Sequence, residues 1–152
     1  YKSMLLDSLT ELSDVSVDES VKKPRKTPRV IQGHPDMNDY GTSFQYFKKF
    51  LRALRDIDGV HLILTALVRE REDKDKGISQ IVPDIAGARN TNVAKSIVDF
   101  GGIMDVVPPK GDREITFKPT GRTWAKWREE GHPGKTILNP TIAKIFEEIN
   151  NG

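Results

Sequence analysis

The stretch YKSMLLDSLTEL, residues 1–12, sets an acid directly behind a short apolar run. The run is Met4 to Leu6, the acid is Asp7, and hydroxyl residues follow it. This pattern predicts a β-strand over residues 1–7 that is buried on both faces, as in the middle of a parallel sheet. An acid at the carboxyl tip of such a strand lies where open α/β sheets bind their ligands.

Two segments downstream extend this strand into a βαβ unit. Residues 40–57 carry apolar side chains at spacings of three and four, which predicts an amphipathic helix. The run VHLILTALV, residues 60–68, has the length of a second strand and follows that helix. A strand, a helix and a strand in this order predict parallel pairing and an α/β fold.

The remaining segments predict that a mainly parallel sheet is flanked by helices and ends in an antiparallel hairpin. Asn139 and Pro140 have the residue types of an N-cap and a first helical position, which predicts the start of a last helix. The other predicted elements are a helix over 88–99, a strand over 101–107, an edge strand over 113–119 and its hairpin partner over 123–127.

Two long stretches interrupt these elements. Residues 13–39 are acidic first and basic next, with Pro and Gly as breakers, and residues 67–92 include the charged run REREDKDKG. Both are predicted to be loops, and loops of this length are usually functional or mobile. The length of 152 residues fits one domain with a sizeable core, which predicts a single domain over residues 1–152.

The composition is that of a globular protein and excludes several kinds of site. Hydrophobic residues make up 36% and charged residues 30%, unlike a disordered chain. The lack of Cys excludes disulfides, Cys-based zinc sites and thiol nucleophiles, and the three His show no metal-ligand spacing. No apolar run approaches the roughly 18 residues of a membrane span, and no signal segment is visible. These features predict a cytoplasmic protein without a membrane partner.

Positive charge is concentrated in the stretch KKPRKTPR, residues 22–29, which holds five cations and no acid. Clustered Lys and Arg favour contact with a polyanion such as nucleic acid, because phosphates respond to local charge more than to overall charge. A solvated linker would show the same composition. Charge alone leaves both interpretations open.

Asp7 also supports two interpretations. In phosphate-handling proteins a carboxylate at this place holds Mg²⁺, often through water, because a hard divalent cation prefers oxygen ligands. The same carboxylate could instead cap the following helix. The phosphate-binding loop G-x-x-x-x-G-K-[ST] that should accompany a nucleotide-site acid is not found. Its nearest match, RNTNVAKS at 89–96, has Arg89 and Ala94 where glycines are required.

A pair of cations near the C-terminus lies in the segment AKWRE. Lys126 and Arg128 bracket Trp127, so on a strand both cations would project to the same side. Two cations on one face could bind a phosphate, or they could keep an exposed edge strand soluble.

In their order and spacing, these pieces resemble the C-terminal part of a phage-type RecA-like P-loop ATPase, of the nucleotide-binding group associated with phage recombination and DNA repair. The resemblance spans nearly the whole chain. It is carried by MLLDSLTEL (4–12, the Walker B strand), DYGTSFQYFKKFLRALRDI (39–57), VHLILTA (60–66), PDIAG (83–87), FGGIMDVV (100–107), TGRTWAKWREE (120–130) and LNPTI (138–142). In that family the phosphate loop precedes the Walker B strand, so the chain looks like a portion of a longer ATPase.

The resemblance assigns roles at a site for ATP and Mg²⁺. Asp7 corresponds to the Mg²⁺-organising acid, and Ser8 lies beside it in the nucleotide site. Thr65 stands where relatives keep a polar sensor of the γ-phosphate, often Gln. Lys126 and Arg128 match a K-x-R element that, in filament or ring ATPases, enters the neighbouring subunit's nucleotide site as a cationic finger. The resemblance therefore implies a homo-oligomer, either a filament or a ring.

The same resemblance places the segments after the Walker B strand and after the sensor strand along a DNA path. Neither segment contains an aromatic residue for base stacking, so the implied contact is with single-stranded DNA of any sequence. Acids alternate with the cations of the second segment and weaken its field. The expected DNA contacts are Lys22, Lys23, Arg25, Lys26 and Arg29 first, and Arg69, Arg71, Lys74 and Lys76 second.

The leading hypothesis is an ATP-dependent DNA-binding ATPase of phage recombination or repair type, of which this chain is a portion without the Walker A loop. On that hypothesis the chain alone is inactive in ATP hydrolysis. A nonenzymatic nucleic-acid-binding or assembly module on an α/β sheet is the alternative. A small α/β domain in which Asp7 is merely structural is a third.

Overall fold

The computed structural model describes residues 2–29, 31–73, 77–128 and 134–150. It confirms the predicted α/β class. The elements in chain order are β1 (Lys2–Leu6), α1 (Leu9–Lys22), α2 (Met37–Arg55), β2 (Val60–Leu64), β3 (Val68–Asp73), β4 (Ile78–Pro83), α3 (Ala88–Ile97), β5 (Ile103–Val107), β6 (Asp112–Thr116), β7 (Thr136–Leu138) and α4 (Ile142–Asn150).

The chain divides into two compact units. The first comprises Tyr1–Arg69 and Val82–Ile97, and the second comprises Glu70–Ile81 and Val98–Gly152. Among the described residues, no helix is both long enough and apolar enough to cross a membrane. The organisation of the chain as a single domain stays a prediction.

The first unit contains the predicted βαβ arrangement. β1 and β2 pair in parallel, with a register that runs from Lys2 opposite Val60 to Leu6 opposite Leu64. α2 confirms the amphipathic helix predicted over 40–57, since its buried face presents Phe47 and Leu51. The core of the unit joins this face to the start of α1, to α3 and to the turn before α3. Its buried members are Leu9, Phe47, Leu51, Ile85 and Ala94.

The loop predicted over 13–39 is wrong in its first part, because α1 extends to Lys22. α1 buries Leu9, Ser13, Val17 and Ser20, so two of the four residues on its buried face are serines. Those hydroxyls are satisfied inside the helix: Ser13 donates to the Thr10 carbonyl at 2.7 Å, and Ser20 donates to the Ser16 carbonyl at 2.8 Å. Small polar residues can be buried when their hydroxyls are hydrogen-bonded. Because they are not apolar, they interrupt the apolar spacing by which an amphipathic helix is recognised in a sequence.

Burial of β1 on both faces is also wrong. Within the described residues β1 pairs with β2 alone, and Lys2 to Leu5 are exposed while Leu6 is half-buried. Leu6 and Leu64 contact the core from the last register position of the pair, and Ala66 follows them. The apolar content of the stretch predicts a strand correctly, but the neighbours that would cover it are not among the described residues.

The loop predicted over 67–92 is wrong over most of its length. β3 and β4 pair with each other, and α3 confirms the helix predicted over 88–99. The boundary between the two units falls inside both strands. The run of alternating charges is compatible with β3 because Glu70, Arg71 and Glu72 are all exposed.

The second unit contains an antiparallel sheet in the order β5-β6-β7. The strands predicted over 101–107 and 113–119 are present, but β6 is central where an edge strand was expected. Its predicted hairpin partner over 123–127 is wrong, since Thr123 and Lys126 make only isolated bridges, to Ile81 and Gly101. The interior is aromatic: Trp127 meets the rings of Phe100 and Phe117 edge-on, at 4.9 and 5.5 Å between centroids.

The last helix is present, but its predicted cap is wrong. α4 begins at Ile142, and the Thr141 hydroxyl accepts a hydrogen bond from the Lys144 amide at 3.2 Å. Asn139 instead occupies a left-handed turn with φ 47°, where its side chain bonds Asp112 at 3.1 Å. Asn favours both positions, since its side chain accepts backbone hydrogen bonds and tolerates positive φ.

Candidate functional site

Asp7 and Thr65 lie side by side at the carboxyl edge of the parallel pair. The register that ends with Leu6 opposite Leu64 makes them the next residue of each strand. The Thr65 hydroxyl donates a hydrogen bond to Asp7 Oδ1, and the Asp7 carboxylate is exposed to solvent. Two residues that are 58 positions apart in the chain therefore form one polar site where α/β sheets bind ligands.

Main-chain hydrogen bonds hold this edge in place. The Thr65 amide donates to the Leu6 carbonyl at 3.1 Å, and the Leu9 amide donates to the Thr65 carbonyl at 2.8 Å. The Thr10 hydroxyl accepts from the Leu67 amide at 3.0 Å. Thr10 was not predicted as part of the site, and its signal is only a hydroxyl one turn after the strand. These bonds fix the position of the Asp7 carboxylate relative to β2.

Ser8, and not Asp7, caps the helix that follows. Ser8 has extended backbone angles, φ −135° and ψ 163°, and its hydroxyl accepts from the Glu11 amide at 3.4 Å. The peptide bond between Asp7 and Ser8 is cis. The interpretation of Asp7 as an N-cap is therefore wrong. The place of Ser8 in a nucleotide site stays a prediction, and its side chain has this structural role in addition.

The carboxylate of Asp7 fits a magnesium ion that is held mainly by water and substrate. Among the described residues, no group of three His, Asp or Glu side chains is arranged to hold a metal ion. Mg²⁺ does not require such a cage, since it commonly binds one or two carboxylates and takes its other ligands from water and phosphate. Asp7 is exposed, and its Oδ1 already accepts from Thr65, which orients the group.

The arginines of the basic stretch hold the loop to the start of α2. Arg25 forms a two-pronged contact with the Asp36 carboxylate, and Arg29 donates to both oxygens of Asp39 at 3.0 Å. Arg29 also donates to the Ser20 carbonyl at 3.0 Å. The hydrogen bonds from Arg25 hold the pKa of Asp36 well below its usual range, and those from Arg29 lower the pKa of Asp39.

These arginines therefore have a structural role that the charge pattern did not predict. The side chains of Arg25 and Arg29 are 18% and 16% exposed. Bidentate contacts such as these, with one half-buried and one buried carboxylate, are the strong form of the Arg–Asp interaction, because planar donors match planar acceptors. Their predicted contact with DNA is untested, and it would compete with these internal bonds.

The lysines of the same stretch are more accessible. Lys22 pairs with Glu19 at 2.5 Å on the surface of α1. The Lys23 ammonium lies 3.7 Å from the centre of the Tyr46 ring and lowers the pKa of that phenol. Lys26 is exposed and has no ion pair within the part of the chain that the structure describes. Their contact with DNA stays a prediction.

The second set of predicted DNA contacts is divided in the same way. Arg69 pairs with Asp84 at 3.3 Å and donates to the Ile85 carbonyl, so its side chain connects β3 to the segment after β4 within the first unit. Arg71 is exposed on β3. Lys74 and Lys76 lie outside the described residues.

Lys126 and Arg128 do not lie together on the face of a named strand. Lys126 exchanges backbone hydrogen bonds with Gly101, both at 2.8 Å, and its ammonium donates to the Val98 carbonyl at 2.6 Å. Arg128 pairs with Asp99, and the two side chains are 70% and 51% exposed. The two cations thus have different surroundings, and a trans-acting role for either stays a prediction.

A comparison with known protein families matches residues 1–129 to an AAA domain. The match includes Asp7, Thr65, Lys126 and Arg128 and covers most of the chain. This chain belongs to the AAA domain family. Comparisons with curated proteins and with solved structures found no significant match.

Membership of the AAA domain family confirms the predicted function at a coarse level. An AAA domain is an ATPase-type domain of the P-loop class, which is consistent with the use of ATP and Mg²⁺. The narrower predictions, a RecA-like phage protein, DNA binding and assembly into a filament or ring, are not tested by this match. β7 and α4 lie after the matched residues.

Proposed function

We propose that this AAA domain is part of an ATP-hydrolysing, DNA-binding protein of the RecA-like phage recombination type, and that Asp7 organises the Mg²⁺ of the bound nucleotide. The observation that supports this proposal is the hydrogen-bonded pair of Asp7 and Thr65 at the carboxyl edge of parallel strands. An exposed carboxylate at that edge, in a domain of ATPase type, has the chemistry that a nucleotide-bound cation needs.

Asp7, Thr65 and the N-terminus of α1 have different roles in the proposed nucleotide site. The Thr65 hydroxyl donates to Asp7 Oδ1 and restrains the carboxylate, which would offer its other oxygen to the ion. Mg²⁺, when bound with ATP, neutralises charge on the phosphate oxygens. The N-terminus of α1 begins next to the site, so its backbone dipole adds positive potential on the side where phosphates would lie. Thr65 is thus a positioning residue, whether or not it also senses the γ-phosphate.

The proposed DNA contact lies on the connection between α1 and α2. Lys22, Lys23 and Lys26 are its accessible cations, while Arg25 and Arg29 give the connection its shape. Lysine is a compact point charge and suits phosphates without selecting bases. The proposed partner is therefore single-stranded DNA of any sequence, bound through its backbone.

Steady-state ATP hydrolysis by the complete protein tests the role of Asp7. Asp7→Asn is expected to lower Mg²⁺-dependent turnover roughly 100-fold or more, because metal-based charge stabilisation contributes several kcal/mol. Thr65→Val should have a smaller effect, about tenfold, because it removes a hydrogen bond that orients the carboxylate. Asp14→Asn is the matched control, since Asp14 is an exposed acid on α1 with no ion pair among the described residues. Equal turnover in Asp7→Asn and Asp14→Asn would contradict the proposal.

A nonenzymatic nucleic-acid-binding module is the second candidate. It is favoured by the basic connection, whose shape is held by the contacts of Arg25 and Arg29 with Asp36 and Asp39. The 152-residue chain by itself is expected not to hydrolyse ATP. Oligonucleotide binding by the complete protein separates the candidates: binding that responds to Mg²⁺-ATP supports the ATPase, and binding with no response and no turnover supports the module.

A further inference from the structure

A pocket of about 400 Å³ lies in the first unit between the end of α1, the connection that follows it and the first turns of α2. Cations and hydroxyl groups dominate its lining. Three positive side chains face it, from Lys23, Arg25 and Lys26, and one acid, Asp39. A concave site with this balance of charge favours an anion.

The single acid of the pocket is neutralised by its own partners. Asp39 is 3% exposed, and both of its oxygens accept from Arg29. Asp39 Oδ2 also accepts from the Asp36 amide at 3.1 Å. Because these bonds occupy the carboxylate and lower its pKa, it stays charged but does not leave an open acceptor toward the pocket.

The groups that remain available are donors. The Lys26 ammonium and the hydroxyls of Thr27 and Thr42 make no hydrogen bond to another described residue. The Lys23 ammonium is held over the Tyr46 ring, 3.7 Å from the centroid. Two ammonium groups and two hydroxyls thus line one concave surface, and each type is a common ligand of phosphate oxygen.

The N-terminus of α2 does not supply this site. Its free amides are already used, since Asn38 and Asp39 donate to the Asp36 side chain and Tyr40 donates to the Asp36 carbonyl. The anion would be bound by side chains. The contacts of Arg25 and Arg29 with α2 hold the backbone of the connection that carries Lys23, Lys26 and Thr27, so little backbone ordering is required on binding.

We propose that this pocket binds a phosphate group through Lys23, Lys26, Thr27 and Thr42. The phosphate belongs either to a nucleic-acid backbone, which rests on the proposed function, or to a free phosphorylated ligand, which does not. Arg25 and Arg29 are positioning residues that hold the pocket in shape.

The test uses the 152-residue chain, with pyrophosphate as the probe and NMR as the readout. Pyrophosphate should shift the amide signals of Thr27 and Thr42 in a saturable way at constant ionic strength. Lys23→Gln with Lys26→Gln should weaken this binding at least about tenfold, because two charge-assisted hydrogen bonds are lost. Thr27→Val with Thr42→Val should weaken it less and leave the net charge unchanged.

Lys110→Gln with Lys118→Gln is the matched control, since it removes the same charge from two exposed lysines of the second unit. It should change pyrophosphate affinity by less than about twofold. Absence of saturable shifts, or equal weakening in the two lysine double variants, would overturn the proposal. The two lysine double variants should retain the far-ultraviolet circular dichroism of the wild-type chain. If the Lys23→Gln with Lys26→Gln variant does not fold, the Thr27→Val with Thr42→Val variant replaces it. Unchanged pyrophosphate affinity in that variant would overturn the proposal.

Competition identifies the source of the phosphate. A single-stranded oligonucleotide that displaces pyrophosphate from the wild-type chain supports nucleic acid as the ligand. An oligonucleotide that leaves pyrophosphate bound supports the pocket as a site for a free phosphorylated ligand. That second result contradicts the DNA part of the proposed function while the phosphate pocket stands.

Discussion

Arg29 and Arg128 each pair with an aspartate, and the two pairs lie in opposite surroundings. Arg29 and Asp39 are 16% and 4% exposed at the side chain, and Arg29 also bonds two backbone carbonyls. Arg128 and Asp99 are 70% and 51% exposed. The first pair builds local structure, because its members are largely buried and little solvent can replace a lost partner. The Arg128–Asp99 pair is exposed, so water and salt screen its attraction and make it weak. Arg128 can therefore change partner at little cost in free energy.

The comparison shows why one sequence feature, a cation near an acid, does not indicate one role. Both arginines were predicted to contact an external phosphate. The burial of Arg29 favours a structural function, and the exposure of Arg128 leaves a functional one open. Mutations at the two pairs should therefore affect different measurements.

The largest expected effect concerns Arg128 and the proposed finger. In the complete protein, Arg128→Ala should lower ATP turnover on the order of 10³-fold while nucleotide binding changes little, because the cation meets charge that develops in the transition state. Mixing Arg128→Ala subunits with Asp7→Asn subunits should restore part of the turnover, since some interfaces then combine an intact site with an intact finger. Arg122→Ala, at another exposed arginine of the second unit, is the control.

If Arg128→Ala and Arg122→Ala have the same ATP turnover, Arg128 has no catalytic role and only forms a surface ion pair with Asp99. A loss that mixing does not restore would place its action within its own subunit. Either result contradicts the proposed action of Arg128 in a neighbouring subunit. Neither result affects the structural role of the Arg29–Asp39 pair.

The second effect is on stability and concerns the acids of the two pairs. Asp39→Ala should lower the melting temperature of the chain clearly, because it leaves the Arg29 guanidinium half-buried with only carbonyl partners. Asp99→Ala should change the free energy of unfolding by less than about 1 kcal/mol. Thermal and urea unfolding of both variants measure the difference. Similar losses in the two variants would show that burial does not separate the pairs.

The smallest effect is a change in pH dependence. Arginine lowers the pKa of both Asp36 and Asp39 in the folded state, so their contribution to stability is present above the unfolded-state pKa of about 3.9 and is lost as pH falls from there toward the folded-state value. Wild-type chain should therefore lose stability progressively as pH falls below about 4. Arg25→Gln with Arg29→Gln should lose less over the same interval, and Asp99→Asn should follow wild type. Parallel curves for all three proteins would contradict the assignment.

β1, β2 and α2 could be predicted because their patterns are strong. An apolar run ending in Asp7 predicts β1, and the spacing of Phe47 and Leu51 predicts α2. α1 was missed because Ser13 and Ser20 fill half of its buried face, and their burial depends on the helix carbonyls that accept their hydroxyls. The β3–β4 pair was missed because exposed strands tolerate the charges that a pattern assigns to a loop.

The candidate site was predictable in its residue types and not in its contacts. Asp7 was predicted from its place after an apolar run and Thr65 from the family resemblance, and the parallel register then brings their side chains together. Ser8 as the cap of α1 and Thr10 as a partner of the Leu67 amide were missed. Each depends on whether the chain turns into a helix directly after β1, and the sequence pattern had predicted a loop from residue 13 onward.

The amino-acid sequence by itself determined the α/β class, the acid at the strand tip and the location of the positive charge. These properties are local, since they depend on side-chain periodicity and on residue type. The tertiary structure alone decided which cations are available. Arg25 and Arg29 are paired because the chain returns to bring Asp36 and Asp39 within bonding distance, while Lys26 is left facing solvent. Electrostatic contacts of this kind depend on distance and burial, and neither quantity is contained in the order of the residues.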